Sequence, residues 1–207
     1  MSPLTDEDGC RLLRVARRSL EESIRGKGDP KVHEFSGVLQ AGVLQERAGV
    51  FITLRNRGKL RGCIGQVEPR TPLVETVAAC TASAALHDPR FPPVDPSELP
   101  DVAIEINVLS PRFDIRPEEI EIGRHGLLVS SRLARGLLLP EVAVEWNWNA
   151  ERFLDETCRK AGLPEGAWRR DARIQGFTTQ VFAEPGFHAA IPAGAAVRSP
   201  RHPWLAG

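Results

Sequence analysis

Cys63 lies in the run Leu60-Arg61-Gly62-Cys63-Ile64-Gly65, one thiol with a glycine directly before it and another two residues after. Glycine lets a backbone or a ligand come close, and a residue two positions away on a strand shares the cysteine's face. A guanidinium beside a thiol favours the thiolate, which is the reactive form. The run therefore supports Cys63 as a nucleophile or acceptor thiol. Arg61 would hold that thiolate or bind an anionic substrate, and Gly62 and Gly65 would form the surface that the substrate approaches. The plainer reading is also open, because free cysteine is among the most buried residue types and packs as a small hydrophobe.

A nucleophilic thiol needs a base within hydrogen-bond reach. His87 and His125 are the candidates, and each can equally be a satisfied structural group. Glu105 interrupts the apolar run Val102-Ala103-Ile104-Glu105-Ile106-Asn107-Val108. It reads either as a solvent-facing residue of a half-exposed sheet or as a carboxylate on the floor of a cleft. Asp88 and Arg90 can pair across Asp88-Pro89-Arg90-Phe91-Pro92-Pro93-Val94, a loop stiffened by three prolines. That loop suits a site wall or a joint between subdomains. Trp146 and Trp148 read as packing, as does Cys158.

The elements that would position these residues follow from periodicity. Residues 5–25 predict a helix capped by Thr5 with Asp8, striped by Leu13, Ala16, Leu20 and Ile24, and stopped at Gly26. Residues 31–48 are ambiguous. Val50–Arg55 and Leu60–Val67 predict two strands joined around Arg57-Gly58. A two-residue turn pairs Ile52 with Cys63 and puts Cys63 on an apolar face. A three-residue turn pairs Ile52 with Ile64 and Thr53 with Cys63, leaving Arg61 and Cys63 on the polar side and Leu60 in the core. Turn statistics favour the first register and the apolar alternation the second; we take the second. A helix follows from Thr71-Pro72 to about His87, then a strand over 102–109 and a short helical turn at 118–120. Strands at 126–130 and 136–139, a short helix over 140–146, and a helix capped by Asn149 and closed by Gly162 come next. A single strand over 174–184 ends the series. Strands and helices alternate without a Gly-rich phosphate loop, so the fold class is α+β, with a mostly antiparallel sheet and flanking helices. Residues 1–184 form the domain. The Ala/Gly/Pro-rich stretch 185–207 reads as a tail.

Composition narrows the classes. The chain has 27 basic and 27 acidic side chains, and this balance argues against nucleic acid and anionic membrane as partners. No apolar run approaches a membrane span, and the N-terminus lacks the apolar core of a signal peptide. Cys10, Cys63, Cys80 and Cys158 are scattered, with no Cys-x-x-Cys pair, and the five histidines have no His-x-x-x-His spacing. The expectation is a cytoplasmic protein with reduced thiols, without a metal and without a cofactor.

Gly58-x-Leu60-Arg61-Gly62-Cys63-Ile64-Gly65, followed by Glu68-Pro69, resembles the signature of the AMMECR family. The resemblance continues through residues 88–94, Ile104 to Pro111, Glu121 to Leu127 and Gly136 to Pro140, and ends at Phe153 to Leu163. It covers roughly residues 5–184. The chain departs from the family pattern at Asn147, Asn149 and Gln175. The resemblance implies one compact α+β unit with two subdomains, the larger holding the signature strand. It puts Cys63, His125 and Glu105 on motif positions and leaves His87 outside them. Microbial members are often encoded beside a radical-SAM protein and a Memo-like, dioxygenase-related protein. This implies a shared pathway on an undefined small molecule. Two readings follow: a cysteine-dependent enzyme or catalytic subunit with Cys63, His125 and Glu105 as its machinery, and a non-catalytic binding or adaptor module of the same set.

Overall fold

A computed structural model describes residues 3–26, 42–132 and 134–185. The ambiguous segment lies largely outside the described residues, as does the tail beyond residue 185. The fold is α+β, with two four-stranded sheets whose registered pairs are all antiparallel. The described residues form two compact units, one drawn from residues 3–109 with 180–185 and the other from residues 110–179.

The first unit opens with α1 (Asp6–Ile24). Thr5 and Asp8 close a capping box, so two orphan N–H groups of the first turn are satisfied locally. The helix ends at Gly26, whose φ of +68° suits a residue without a Cβ. The buried stripe is Leu12, Val15, Ala16, Ser19 and Leu20, so it is rotated from the expected one and Leu13 stays at its margin. Then come β1 (Val50–Asn56), β2 (Lys59–Gln66), α2 (Leu73–Leu86) and β3 (Val102–Leu109). Together with β8 (Thr179–Ala183) the strands make a sheet in the order β2-β1-β3-β8. Val50, Ile52 and Leu54 alternate along β1, and Ile104, Ile106 and Val108 along β3. These residues join both helices in one core on one face of the sheet. The opposite face carries Phe51, Thr53, Cys63, Glu105 and Asn107.

The β1–β2 hairpin combines both expected registers. Asn56 pairs with Lys59 around the two-residue turn Arg57-Gly58, where both residues have positive φ (48° and 77°). Leu54 then pairs with Gly62 and Arg55 with Leu60, so Arg61 is the extra residue of a β-bulge. Past the bulge Ile52 pairs with Ile64 and Thr53 with Cys63, the register taken from the alternation. The bulge also moves Leu60 opposite Arg55 and out of the core, contrary to expectation.

The second unit contains β4 (Phe113–Asp114), β5 (Gly126–Ser131), β6 (Ala134–Leu138), α3 (Pro140–Glu145), α4 (Ala150–Lys160) and β7 (Arg173–Phe177). Its sheet runs β4-β7-β5-β6, and α4 lays Phe153, Leu154 and Cys158 onto it. Asn149 caps α4 by accepting from the Arg152 N–H at 2.9 Å. The single strand expected over 174–184 is two strands in two sheets. Thr178 breaks it, because its N–H donates to Ser110 Oγ and its C=O accepts from the Ser110 N–H, both at 2.9 Å.

Candidate functional site

β2 is the edge strand of its sheet, so every second residue turns its N–H and C=O away from β1. Cys63 is one of these. Its N–H donates to Asp88 Oδ2 at 2.8 Å, and its C=O accepts from Arg90 Nη2 at 3.2 Å. Cys63 and Thr53 therefore form a non-hydrogen-bonded pair, the kind with the closer side chains. The Thr53 hydroxyl lies 3.5 Å from the Cys63 sulfur. Thr53 faces Glu105 on its other side, which puts thiol, hydroxyl and carboxylate in one row across three strands. The Cys63 and Glu105 backbones are about 10 Å apart, at strand spacings of about 4.5 and 5.5 Å. Cys63 itself is half-buried.

Asp88 is 4% exposed. It accepts from the Arg90 Nε at 2.9 Å, the Arg90 Nη2 at 2.6 Å, the Arg90 backbone N–H at 3.1 Å and the Cys63 N–H. Burial alone would push its carboxyl up. The hydrogen bonds from Arg90 and Cys63, with the charge of Arg90, outweigh burial and hold it below the usual carboxylate range. Arg90 is correspondingly held above the ordinary arginine range. Its hydrogen bonds with Asp88 dominate against burial, and the charge of Asp88 and the Cys63 thiol add to them. Arg90, three residues into the proline loop, is thus the cation beside the sulfur.

Arg61 has a different job. Its Nε and Nη2 grip Glu98 at 2.8 Å each, Nη1 donates to Pro92 O at 2.8 Å and Nη2 to Pro93 O at 3.0 Å. Glu98 also accepts from Asn56 Nδ2 at 2.8 Å. The Arg61 bonds come first in holding Glu98 down to about 2, against burial and with help from the Asp95 N–H and Asn56. Arg61 therefore pins the far end of the loop whose near end holds Cys63, and its donors are committed to the protein rather than to an anion. The two glycines are explained by space. A Cβ on Gly62 would stand 2.1 Å from the Ala84 carbonyl oxygen of α2, and one on Gly65 would stand 2.4 Å from the Phe51 ring.

His125 lies in the second unit, not in the unit that holds Cys63. It is 7% exposed, and its Nδ1 accepts from the Glu121 N–H at 3.1 Å while its ring meets Phe113 edge-on. It closes the turn into β5. His87 is exposed and ends α2, donating its backbone N–H to Ser83 O. Among the described residues no group of three or more His, Cys, Asp or Glu side chains is gathered as metal ligands, and no helix is long and apolar enough to cross a membrane. Reading the sequence passed over Thr53, Phe51 and Asn107 as site residues. Their signal is positional: all share the strand parity of Cys63 or Glu105.

Fold and site together define an α+β protein with a cysteine-bearing hairpin clamped by an Asp-Pro-Arg loop. The AMMECR1 family model matches residues 13–182, and the chain belongs to the AMMECR1 family. A protein of Methanothermobacter thermautotrophicus is 42% identical over 193 residues, spanning 89% of this chain and 98% of its own length. Protein TK0174 of Thermococcus kodakarensis is 42% identical over 196 residues, spanning 89% and 94%. The crystal structure of an uncharacterized protein, PH0010 from Pyrococcus horikoshii, aligns with a TM-score of 0.73 at 40% identity, covering 84% of this chain and 90% of that one.

Proposed function

We propose that this protein is a cysteine-dependent enzyme, or the catalytic subunit of a small pathway, with Cys63 as nucleophile or acceptor thiol. The observation that carries the reading is the setting of the sulfur: half-buried, 3.5 Å from the Thr53 hydroxyl and beside the Arg90 guanidinium. A neighbouring guanidinium favours the thiolate, and a backbone gripped at both N–H and C=O holds it still. Glu105 stands in the same row but two strands from the thiol, so its part as proton acceptor would run through the Thr53 hydroxyl or a water rather than by direct contact. The family resemblance supports radical-SAM and Memo-like proteins as partners and an undefined small molecule as substrate. The four described cysteines are all free thiols, which supports a reducing, cytoplasmic setting.

The test is the pH dependence of Cys63 alkylation in the native protein, with Cys63→Ser assigning the signal. The expected result is labelling at about pH 6–7, below the ordinary thiol value of about 8.5. Labelling only after denaturation would overturn the nucleophile.

A second reading, a non-catalytic adaptor, is favoured by Ile122 and Val144, which are 38% and 57% exposed. Gly123, next to Ile122, lies against Val144. Exposed apolar neighbours of this kind mark docking surfaces when they extend into a patch. If Cys63 proves inert, binding of the partner proteins through this patch is the next measurement.

A further inference from the structure

The open edge of β2 carries donors that the clamp on Cys63 does not use. Residues two apart on a strand repeat one orientation. Cys63 turns its N–H and C=O off the edge, onto Asp88 and Arg90. Gly65 pairs with Phe51 as Cys63 pairs with Thr53, so it turns the same two groups off the same edge. It does so about 6.8 Å further along, at two residues of strand rise. Among the described residues the Gly65 N–H has no hydrogen-bond partner, and Gly65 is half-buried rather than sealed.

Arg90 supplies the second donor. Its Nε and Nη2 serve Asp88 at 2.9 and 2.6 Å, and Nη2 also serves the Cys63 carbonyl at 3.2 Å. Nη1 has no partner among the described residues, so one edge of the fork is uncommitted. The side chain is 27% exposed, so that edge is open to solvent. The Phe91 ring lies 5.5 Å from the guanidinium carbon and steadies its plane. Along the edge, the Cys63 C=O falls between the N–H groups of Cys63 and Gly65. Arg90, seated on that C=O, therefore stands beside the Gly65 N–H, while Asp88 occupies the N–H of Cys63.

We infer that the Gly65 N–H and the Nη1 edge of Arg90 form a subsite for the carboxylate of a small-molecule substrate. A carboxylate has two oxygens in one plane, one for the backbone donor and one for the guanidinium. A cation would meet only donors. The Asp88–Arg90 pair is neutral as a whole, so the attraction comes from aimed donors and not from excess charge. A dianionic phosphate would bring a second negative charge toward Asp88 with no cation to match it. The inference rests on reading Cys63 as the reactive thiol, and it names the class of substrate. A short carboxylic acid held at Gly65, about 6.8 Å along the strand, brings a carbon a few bonds from its carboxylate to the sulfur.

The test is an NMR titration of the full chain labelled with nitrogen-15, following the Gly65 backbone amide and the Arg90 guanidinium signals. The probes are acetate, inorganic phosphate and methylammonium at constant ionic strength. We expect both signals to move saturably with acetate, with roughly tenfold weaker binding of phosphate and none of methylammonium. In Arg90→Lys one ammonium still meets Asp88 but the second donor edge is gone, so acetate binding should weaken about tenfold or more. Where that variant also loosens the Cys63 amide, the wild-type shifts decide alone: shifts centred away from Gly65 and Arg90 overturn the inference. No saturation with acetate, tighter binding of phosphate or methylammonium, or an Arg90→Lys titration equal to the wild type would overturn it too. Cys63 alkylation in the same samples separates the two readings. Acetate binding beside an inert Cys63 sinks the nucleophile and keeps the subsite. A reactive Cys63 without acetate binding does the reverse.

Discussion

Replacing Asp88 by alanine removes the acceptor of the Cys63 N–H and the counter-ion of Arg90 in one step. The N–H sits on an edge strand and has no neighbouring strand to turn to, so leaving it unpaired costs about 1–3 kcal/mol. The Arg90 side chain is 27% exposed and partly rehydrates, so its lost ion pair adds only about 1 kcal/mol. The sum is about 3 kcal/mol, a drop of about 6–12 °C in melting temperature for a chain of this size. The loss should be local before it is global. Amide exchange at Cys63 should quicken by roughly 140-fold, at a factor of ten per 1.4 kcal/mol, while the core strand β1 changes only with overall stability. Asp88→Asn keeps one oxygen for the Cys63 N–H but loses the charge, and should fall between the two. Equilibrium urea unfolding and hydrogen exchange followed by NMR measure both quantities. A Cys63 amide that exchanges no faster than in the wild type, or a stability loss under about 1 kcal/mol, would refute the clamp.

Gly62→Ala drives a Cβ to 2.1 Å from the Ala84 carbonyl oxygen of α2, and Gly65→Ala drives one to 2.5 Å from the Val50 carbonyl oxygen and 2.4 Å from the Phe51 ring. Chemical denaturation should therefore show a loss of about 3 kcal/mol for each, and a loss under about 1 kcal/mol for either would refute the packing. Glu98 is held near 2 in the folded chain against 4.5 for the free group, so its contribution is present above about pH 4.5 and fades as the pH falls toward 2. Asp88 is lowered too and loses its contribution in the same direction. In Glu98→Gln, thermal melts between pH 5 and about 2.5 should fall less steeply than in the wild type; parallel slopes would exclude Glu98 as a source of that dependence. Arg61→Lys keeps the charge but cannot span Glu98 and two carbonyls, so limited proteolysis should cut the 88–98 loop faster, with Cys63 still in register.

Much of the first unit was legible because local chemistry and global packing agree there. Thr5 with Asp8 announces a helix start, and the alternation of Val50, Ile52 and Leu54 fixes which face of β1 is core. The same alternation brought Cys63 opposite Thr53. What it could not reveal was how the hairpin reaches that register. The two-residue turn and the alternation demand different pairings, and only an extra residue at Arg61 satisfies both. Because the bulge was hidden, Leu60 was assigned to the core. The thiol's cation was misplaced for a related reason. Arg61 is near Cys63 in sequence, but its fork matches Glu98, which lies far along the chain. Arg90 reaches the thiol only because the proline loop folds back on the edge strand. The final strand was read as one because Thr178 is β-branched and fits a strand; its hydrogen bonds to Ser110 are long-range and leave no local mark. His125 carried a motif position but no sign of its place, and its Nδ1 is spent on a turn in the other unit.

The loop at residues 88–90 has one more consequence, which concerns how molecules of this protein meet. A sheet that ends in an open strand is a template on which another chain can continue the ladder, and natural proteins obstruct such ends. Here the obstruction is the side-chain pair Asp88 and Arg90, which occupies the donor and the acceptor of Cys63 that an incoming strand would need. The same two residues that hold the thiol in place thus keep copies of the protein from zipping together along β2. Variants that loosen them to free the thiol will be prone to self-association.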